Sequence, residues 1–263
     1  MRKKQKSGNL KYAFYFILLI VFFGGLSLSF KLGVILKNSS FDGNHRYNLE
    51  FREGDNLSIA SFSPETNSIS IVNVQGKIGE SISKSLEVPI DGVVNGSSIN
   101  SSNVFFKIAG IFPQTFNTKS KPTFIDIIRI MMFARSIPKD SITQDTVNIS
   151  SDDLSKQQLL SPLFLDQSIS DEKKTIEIIN STETPGLGAR LAILLNNIGA
   201  NIILVVTSDK PQKESQIVYY NQGSYTVDRI SSILGFKKTE NNGSSIADVI
   251  IIIGEDQVNT TKF

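Results

Sequence analysis

One histidine and no cysteine set the limits of the chemistry open to this 263-residue chain. Without thiols there can be no disulfide, no thiolate metal site and no cysteine nucleophile. A zinc site built on His45 would have to lean on carboxylates, and no Asp/Glu group shows ligand spacing. Serine or threonine nucleophiles need a base, and His45 sits just beyond an apolar run, where it reads as a juxtamembrane polar residue. Phosphoryl transfer needs cations and carboxylate-held magnesium around the phosphate oxygens. Between Glu50 and Ser150 the arginines are Arg52, Arg129 and Arg135, and the last two fall on an apolar helical stretch rather than a polar loop. The sequence therefore assigns no catalytic residue, no metal and no cofactor.

Two places offer binding chemistry. The run Asn180 to Gly188 (NSTETPGLG) joins a strand to a helix start, where unpaired backbone N–H groups attract anions, so Asn180, Thr184 and Gly186 are candidate ligand contacts. The competing reading needs no ligand: Thr184 caps the helix, Pro185 takes its first turn and Gly186 permits a tight bend. Tyr219 and Tyr220 offer an aromatic platform, but neighbours on a strand point to opposite faces, so one of the two belongs to the core.

The elements that position these residues begin with Tyr12 to Phe30, nineteen residues without a charge. At 1.5 Å per residue they reach roughly 28 Å, close to the ~30 Å hydrocarbon core of a bilayer. Arg2, Lys3, Lys4, Lys6 and Lys11 precede the run with no acidic residue among them, which places residues 1–11 in the cytoplasm and the body outside a single-pass membrane helix at 12–30. A cleaved secretory signal is the rival reading. The net charge is +2, and setting aside those five cations leaves −3 for the rest, which argues against nucleic acid as a partner.

Beyond a polar stalk at 31–47, alternation in Leu57–Phe62 and Ser68–Val74 around Pro64–Asn67 predicts a β-hairpin. Ile78, Ile82 and Leu86 lie four apart and predict a short helix, and Thr123 opens a buried helix that Pro138 ends. Residues 151–174, charged at both ends, read as an inter-domain linker. Strands at 175–179, 201–207, 215–220 and 248–253, with helices at 187–198 and 225–234, give the order β-α-β-β-α-β over 175–256, ahead of a tail at 257–263.

That last segment resembles the C-terminal domain attached to LytR-CpsA-Psr cell-envelope proteins, through IEIINSTETPGLGARLAILLNNIGA (176–200), QIVYYNQGSYTVDRISSILG (216–235) and ADVIIIIGED (247–256). Residues 48–150 resemble a shortened LytR-CpsA-Psr catalytic domain through LSIASFSPETNSISIVNV (57–74), LEVPIDGVV (86–94) and FIDIIRIMMFARSIPKDSITQDTVNIS (124–150). Asp55 falls near the place of the family's metal-binding aspartate. Where the family carries Ile-Pro-Arg-Asp, however, this chain has Asn73, Val74, Gln75 and Gly76, and the family's arginine-rich helix has no counterpart.

The fold class expected is α+β: a transmembrane helix, a small degenerate α/β domain, and a C-terminal domain of ferredoxin-like topology, with a Rossmann-like parallel sheet as the alternative. The ferredoxin-like order requires 202–206 and 216–220 to pair antiparallel. The function expected is a membrane-tethered, extracytoplasmic envelope protein that binds or scaffolds without catalysis. Its partners are the lipid bilayer and either a cell-wall glycopolymer or another envelope protein. The alternative that the resemblance implies is a phosphotransferase attaching polyprenyl-pyrophosphate-linked glycopolymers to the wall, for which 48–150 would need a pocket with two cations and a carboxylate. A regulator acting on DNA has no basic surface to support it.

Overall fold

The computed structural model describes residues 8–54, 56–76, 81–96, 98–115 and 121–258. The cationic positions at 2–6, Asp55, Ile78 and residues 259–263 of the tail lie outside that set. The first helix, α1 (Gly8–Asn38), runs well past the stretch expected to span, and its segment Lys11–Asn38 is long and apolar enough to cross a membrane. Gly24 and Gly25 sit inside it, where a Cβ would meet nothing within 4 Å.

The stalk expected at 31–47 does not form. Helix α1 continues to Asn38, and Phe41 is buried against Tyr47 and Phe133 in the core that follows. One carboxylate fixes this junction. Asp126, fully buried, accepts hydrogen bonds on Oδ1 from Ser39 Oγ (2.7 Å), Ser40 N (3.0 Å) and Phe41 N (2.9 Å). Its Oδ2 accepts from Thr123 N and Oγ1, each at 2.8 Å. Arg129 adds a bond from Nη1 to Phe41 O at 2.7 Å.

The first sheet is built from β1 (Tyr47–Glu53), β2 (Asn56–Ser63) and β3 (Ser68–Gln75), then α2 (Ile82–Leu86), β4 (Gly92–Asn95), α3 (Val104–Ile111), α4 (Phe124–Ser136) and β5 (Ile142–Asn148). Its order is β4-β1-β2-β3-β5, antiparallel in the middle and parallel at both edges. The hairpin expected at 57–74 is β2–β3, with Asn67 at φ 51° closing its turn. Helix α4 starts at a capping box between Thr123 and Asp126, which satisfies two orphan N–H groups at once. The sequence predicts that it is buried. Only its Ile127, Ile130 and Ala134 side is, and Met132 is 70% exposed.

Residues 151–174 are not a linker but two helices, α5 (Asp153–Phe164) and α6 (Gln167–Glu172). Leu160 and Phe164 are fully buried with Ile59, Val72 and Ile82 in the core under the first sheet. The charges that suggested a linker have local structural roles: Asp152, at the first end, accepts from Ser155 N, Asp166 between the helices accepts from Ile169 N, and Glu172, at the second end, accepts from Tyr225 N and Thr226 N.

The second sheet holds β6 (Thr175–Asn180), α7 (Leu187–Asn197), β7 (Asn201–Thr207), β8 (Gln216–Tyr220), α8 (Tyr225–Leu234), β9 (Lys237–Asn241) and β10 (Val249–Ile253). Its order is β7-β6-β10-β8-β9, so the antiparallel pair expected between 202–206 and 216–220 is absent and two strands separate them. The strand missed from the sequence explains the error. The run KKTEN (237–241) is exposed at every position, shows no apolar alternation, and pairs parallel to β8. Helix α8 thus closes β8-α8-β9, as α7 closes β6-α7-β7, and β10 joins the two units, parallel to β6 and antiparallel to β8.

The loop from β7 to β8 must cross the ends of β6 and β10, and backbone bonds hold it there. Ser208 N donates to Asn180 O, Gln212 N to Ser181 O, and Glu255 N to Gln212 O, each at 2.9 Å. Gly254 lies so close beneath that an added Cβ would stand 2.7 Å from the Glu214 carbonyl carbon. Both helices cover the same face of the sheet, packing Leu191, Leu194, Val227 and Ile230 on Ile176, Ile178, Ile217 and Ile251.

Candidate functional site

The best-formed polar site lies where the segment leaving α1 meets α8. Asp42 opens a tight turn, with Oδ1 accepting from Asn44 N (2.8 Å) and His45 N (3.0 Å) and Oδ2 held by His45 Nδ1. Burial alone would raise the Asp42 pKa, but these bonds hold it below its ordinary value. The imidazole of His45 stacks on Tyr225, with centroids 4.0 Å apart and planes at 17°. Tyr225 is fixed in turn: its hydroxyl donates to Asp166 Oδ2 at 2.8 Å and its N–H to Glu172 Oε1 at 2.9 Å. Burial raises the Tyr225 pKa far above that of a free phenol.

Two buried arginines flank this stack. Arg229, one turn along α8, grips Asp91 through Nη1 (2.6 Å) and Nη2 (2.9 Å), a bidentate pair joining the two sheets. Although burial works against its charge, Asp91 and Asp166 raise its pKa above that of an ordinary arginine. Arg46, only 5% exposed, donates from Nη1 to Ser61 Oγ and to Leu163 O, each at 2.6 Å. Its Nε is buried without a partner among the described residues, and burial pulls its pKa down to about 10. Asp166, buried between them, is pushed up by desolvation despite Arg229 and the Tyr225 hydroxyl.

Between these groups is a cavity of about 170 Å³. Ser40, Asp42, His45 and Arg46 line one side, and Tyr225, Asp228, Arg229 and Ser232 of α8 line the other. It carries two cations and two carboxylates, but the phosphotransferase alternative needs two cations and a carboxylate within residues 48–150, and all four of these residues lie outside that range. Its arginines already serve Asp91, Ser61 and a backbone carbonyl.

The half of the site carried by α8 belongs to a recognisable unit. Residues 173–256 match the family model described as LytR cell envelope-related transcriptional attenuator. They form a LytR C-terminal domain. No curated protein matches the chain. The X-ray structure of the Lin1025 protein from Listeria innocua aligns at 10% identity and a TM-score of 0.18, covering 72% of this chain and 99% of that one, and at that score it supports no inference about fold.

Within the LytR C-terminal domain the residues singled out from the sequence do not meet. Asn180 pairs in register with Ile253, whereas Tyr219 pairs with Val249 at the other end of β10. Four residues of strand, roughly 13 Å, separate them. Asn180 is buried and spent on its own turn: Nδ2 donates to Thr184 O (2.9 Å), and Oδ1 accepts from Thr182 N (3.2 Å) and Oγ1 (2.8 Å). Thr184 does not cap α7. Gly186, at φ 84°, holds the N-cap position with no side-chain bond. Glu183 N in the same turn meets Glu255 Oε1 at 3.2 Å, so a carboxylate of the chain itself stands beside the loop read as an anion site. Tyr219 packs against the core and Tyr220 lies on the opposite face, as strand geometry requires.

That opposite face is the second candidate surface. Ile179, Leu204, Val206, Val218, Ile250 and Ile252 share it with Tyr220, all part-exposed, and among the described residues no helix packs against it. Arg46, Asp91, Asp166, Tyr225 and Arg229 were not legible as a site, because they come together only through contacts between distant parts of the chain. The one local signal was Asp42-Gly43-Asn44-His45, a turn sequence followed directly by Arg46.

Proposed function

We propose that this protein is a single-pass, membrane-anchored envelope protein whose body lies outside the cytoplasm and acts by binding or scaffolding rather than by turnover. The observation that carries the reading is the continuity of α1 with the folded body. A helix that carries an uncharged run of membrane length, Tyr12–Phe30, continues to Asn38 and meets the Asp126 clamp, and the body it holds ends in a LytR C-terminal domain. The cations ahead of the span support an inward N-terminus. The open apolar face of the second sheet supports a partner-binding role, since contiguous exposed apolar surface marks interaction sites. In this reading residues 48–150 are a degenerate relative of the LytR-CpsA-Psr catalytic domain, retained as a platform joined to the C-terminal domain through Arg229 and Asp91.

The absence of native cysteine gives a clean test. Single replacements Lys4→Cys and Asn242→Cys are treated with a membrane-impermeant maleimide on intact cells. Position 242 is expected to label and position 4 to label only after lysis. The reverse pattern would overturn the orientation.

A further inference from the structure

The cavity between the α1 exit and α8 has properties that select a particular kind of ligand. Its volume of about 170 Å³ is below the ~300–1,000 Å³ of sites for drug-sized molecules, so it holds one ring or one small headgroup. Two arginines and two aspartates line it, and their formal charges cancel. Each has a compensating partner: Arg229 has Asp91, Arg46 has the charges of Asp166 and Glu65, Asp228 has Lys238, and Asp42 has His45 and two backbone N–H groups. No lining charge is left without a counter-charge from the protein itself.

What the lining leaves free is hydrogen-bonding capacity of both kinds. Arg46 Nη2, His45 Nε2 and the Ser232 hydroxyl make no hydrogen bond among the described residues, and the guanidinium, the imidazole and the hydroxyl offer donors and acceptors together. The guanidinium and the imidazole are held rigidly, one by Ser61 and Leu163, the other by Asp42 and the Tyr225 stack. Fixed polar groups of mixed type around a neutral space match the vicinal hydroxyls of a polyol.

The location agrees with that match. The segment Lys11–Asn38 has 28 residues, which at 1.5 Å each is about 42 Å, the ~40–45 Å of a bilayer with its headgroups. Ser40 stands two residues farther on, level with the outer headgroup surface.

We propose that this cavity binds a single neutral sugar ring presented at the membrane surface, either the headgroup of a glycolipid or the end of an envelope glycan. The proposal rests on the membrane-anchored reading for the source of the ligand and on the cavity alone for its chemistry. The full-length protein in phosphatidylglycerol nanodiscs is titrated with methyl glycosides of glucose, galactose and N-acetylglucosamine, followed by saturation-transfer NMR. A second arm compares nanodiscs with and without diglucosyl diacylglycerol, reading the change in His45 ring resonances.

Saturable binding of a soluble glycoside points to a glycan end, and a response only to the glycolipid points to a headgroup. In either case Ser232→Ala, at an exposed position, and His45→Phe, which keeps the stack on Tyr225, are each expected to weaken binding roughly three- to tenfold, while Asn242→Ala, at an exposed position away from the cavity, leaves it unchanged. For the glycolipid, where His45→Phe removes the reporter, its affinity is read by competition. No binding in either arm, indifference to both variants, or displacement by inorganic phosphate would overturn the proposal. The maleimide pattern reports the orientation independently, so failure of the anchored reading leaves the cavity result standing and identifiable.

Discussion

The two sheets of this protein have similar strand sequences and opposite surroundings. In β3, Ile71 and Val72 point to opposite faces and both are fully buried, one under α3 and α4, the other under α2 and α5. In β10, Ile251 is fully buried while Ile250 and Ile252 are part-exposed. A run of five apolar residues such as Val249–Ile253 reads as a strand covered on both sides. The first sheet meets that expectation and the second does not. An apolar face on the LytR C-terminal domain that no helix covers among the described residues is surface that a scaffold would use. The edges differ in the same way. β9 is guarded by Lys237, Lys238 and Glu240, whereas β7 carries no charge and exposes Ile203 and Val205.

The comparison assumes that the two sheets form one body, and the largest effect tests that. Asp91→Ala leaves the Arg229 guanidinium buried without its main partner and is expected to cost about 3–5 kcal/mol in denaturant unfolding of the full-length protein in detergent. Joint replacement of Asp91 by Leu and Arg229 by Met should recover most of it, because burial of a charge pair is itself costly. Equal stability of the single variant and the parent would mean that the joint carries no load.

Next in size are truncations at adjacent positions. Ile71→Ala and Ile251→Ala should each cost about 2–5 kcal/mol, with a somewhat smaller loss for Val72→Ala. Ile252→Ala should cost less, about 1–2 kcal/mol, since part of its side chain stays in water in the folded protein and its removal leaves no enclosed cavity. A cost at Ile252 as large as at Ile251 would show that the second face is covered after all.

The smallest effect is a pH dependence. Burial would raise the Glu172 pKa, but hydrogen bonds from Thr226 and Tyr225 hold it below the ordinary 4.5. A depressed pKa gives stabilisation that is complete above 4.5 and is lost as pH falls through the lower folded value. Asp166 has the opposite sign: burial raises it above 3.8, so its contribution declines as pH rises through the folded value. Glu172→Gln is expected to flatten the acid limb of a stability–pH curve and to cost about 1 kcal/mol at neutral pH, as for a lost helix cap. An unchanged acid limb would remove Glu172 from the account.

Much of this architecture is legible in the sequence because its signals are local. Alternation around Pro64–Asn67 announces β2 and β3, Thr123 with Asp126 announces α4, and Gly199 and Gly235 mark the ends of α7 and α8. What failed depended on context. KKTEN forms β9 only because β8 supplies a ladder, and without it the topology of the second sheet comes out wrong. Leu160 and Phe164 lie four apart, but Pro162 between them and the charged flanks hide a helix that the first sheet's core stabilises. The site was hidden for a stronger reason. Arg46 and Arg229 come from opposite ends of the body, and nothing in either local sequence names the other. Asn180, by contrast, looked like a ligand contact because a residue that closes its own turn has the same composition as one that awaits a ligand.

Binding without turnover is the central claim, and catalysis is what most directly contradicts it. The measurement is magnesium-dependent release of polyprenyl phosphate from a polyprenyl-pyrophosphate-linked glycopolymer, with a cell-wall glycan present as hydroxyl acceptor, by the full-length protein in nanodiscs. The account predicts release no faster than in protein-free nanodiscs. Turnover at an ordinary enzyme rate, about 1 per second or faster, would contradict it and make the protein a phosphotransferase.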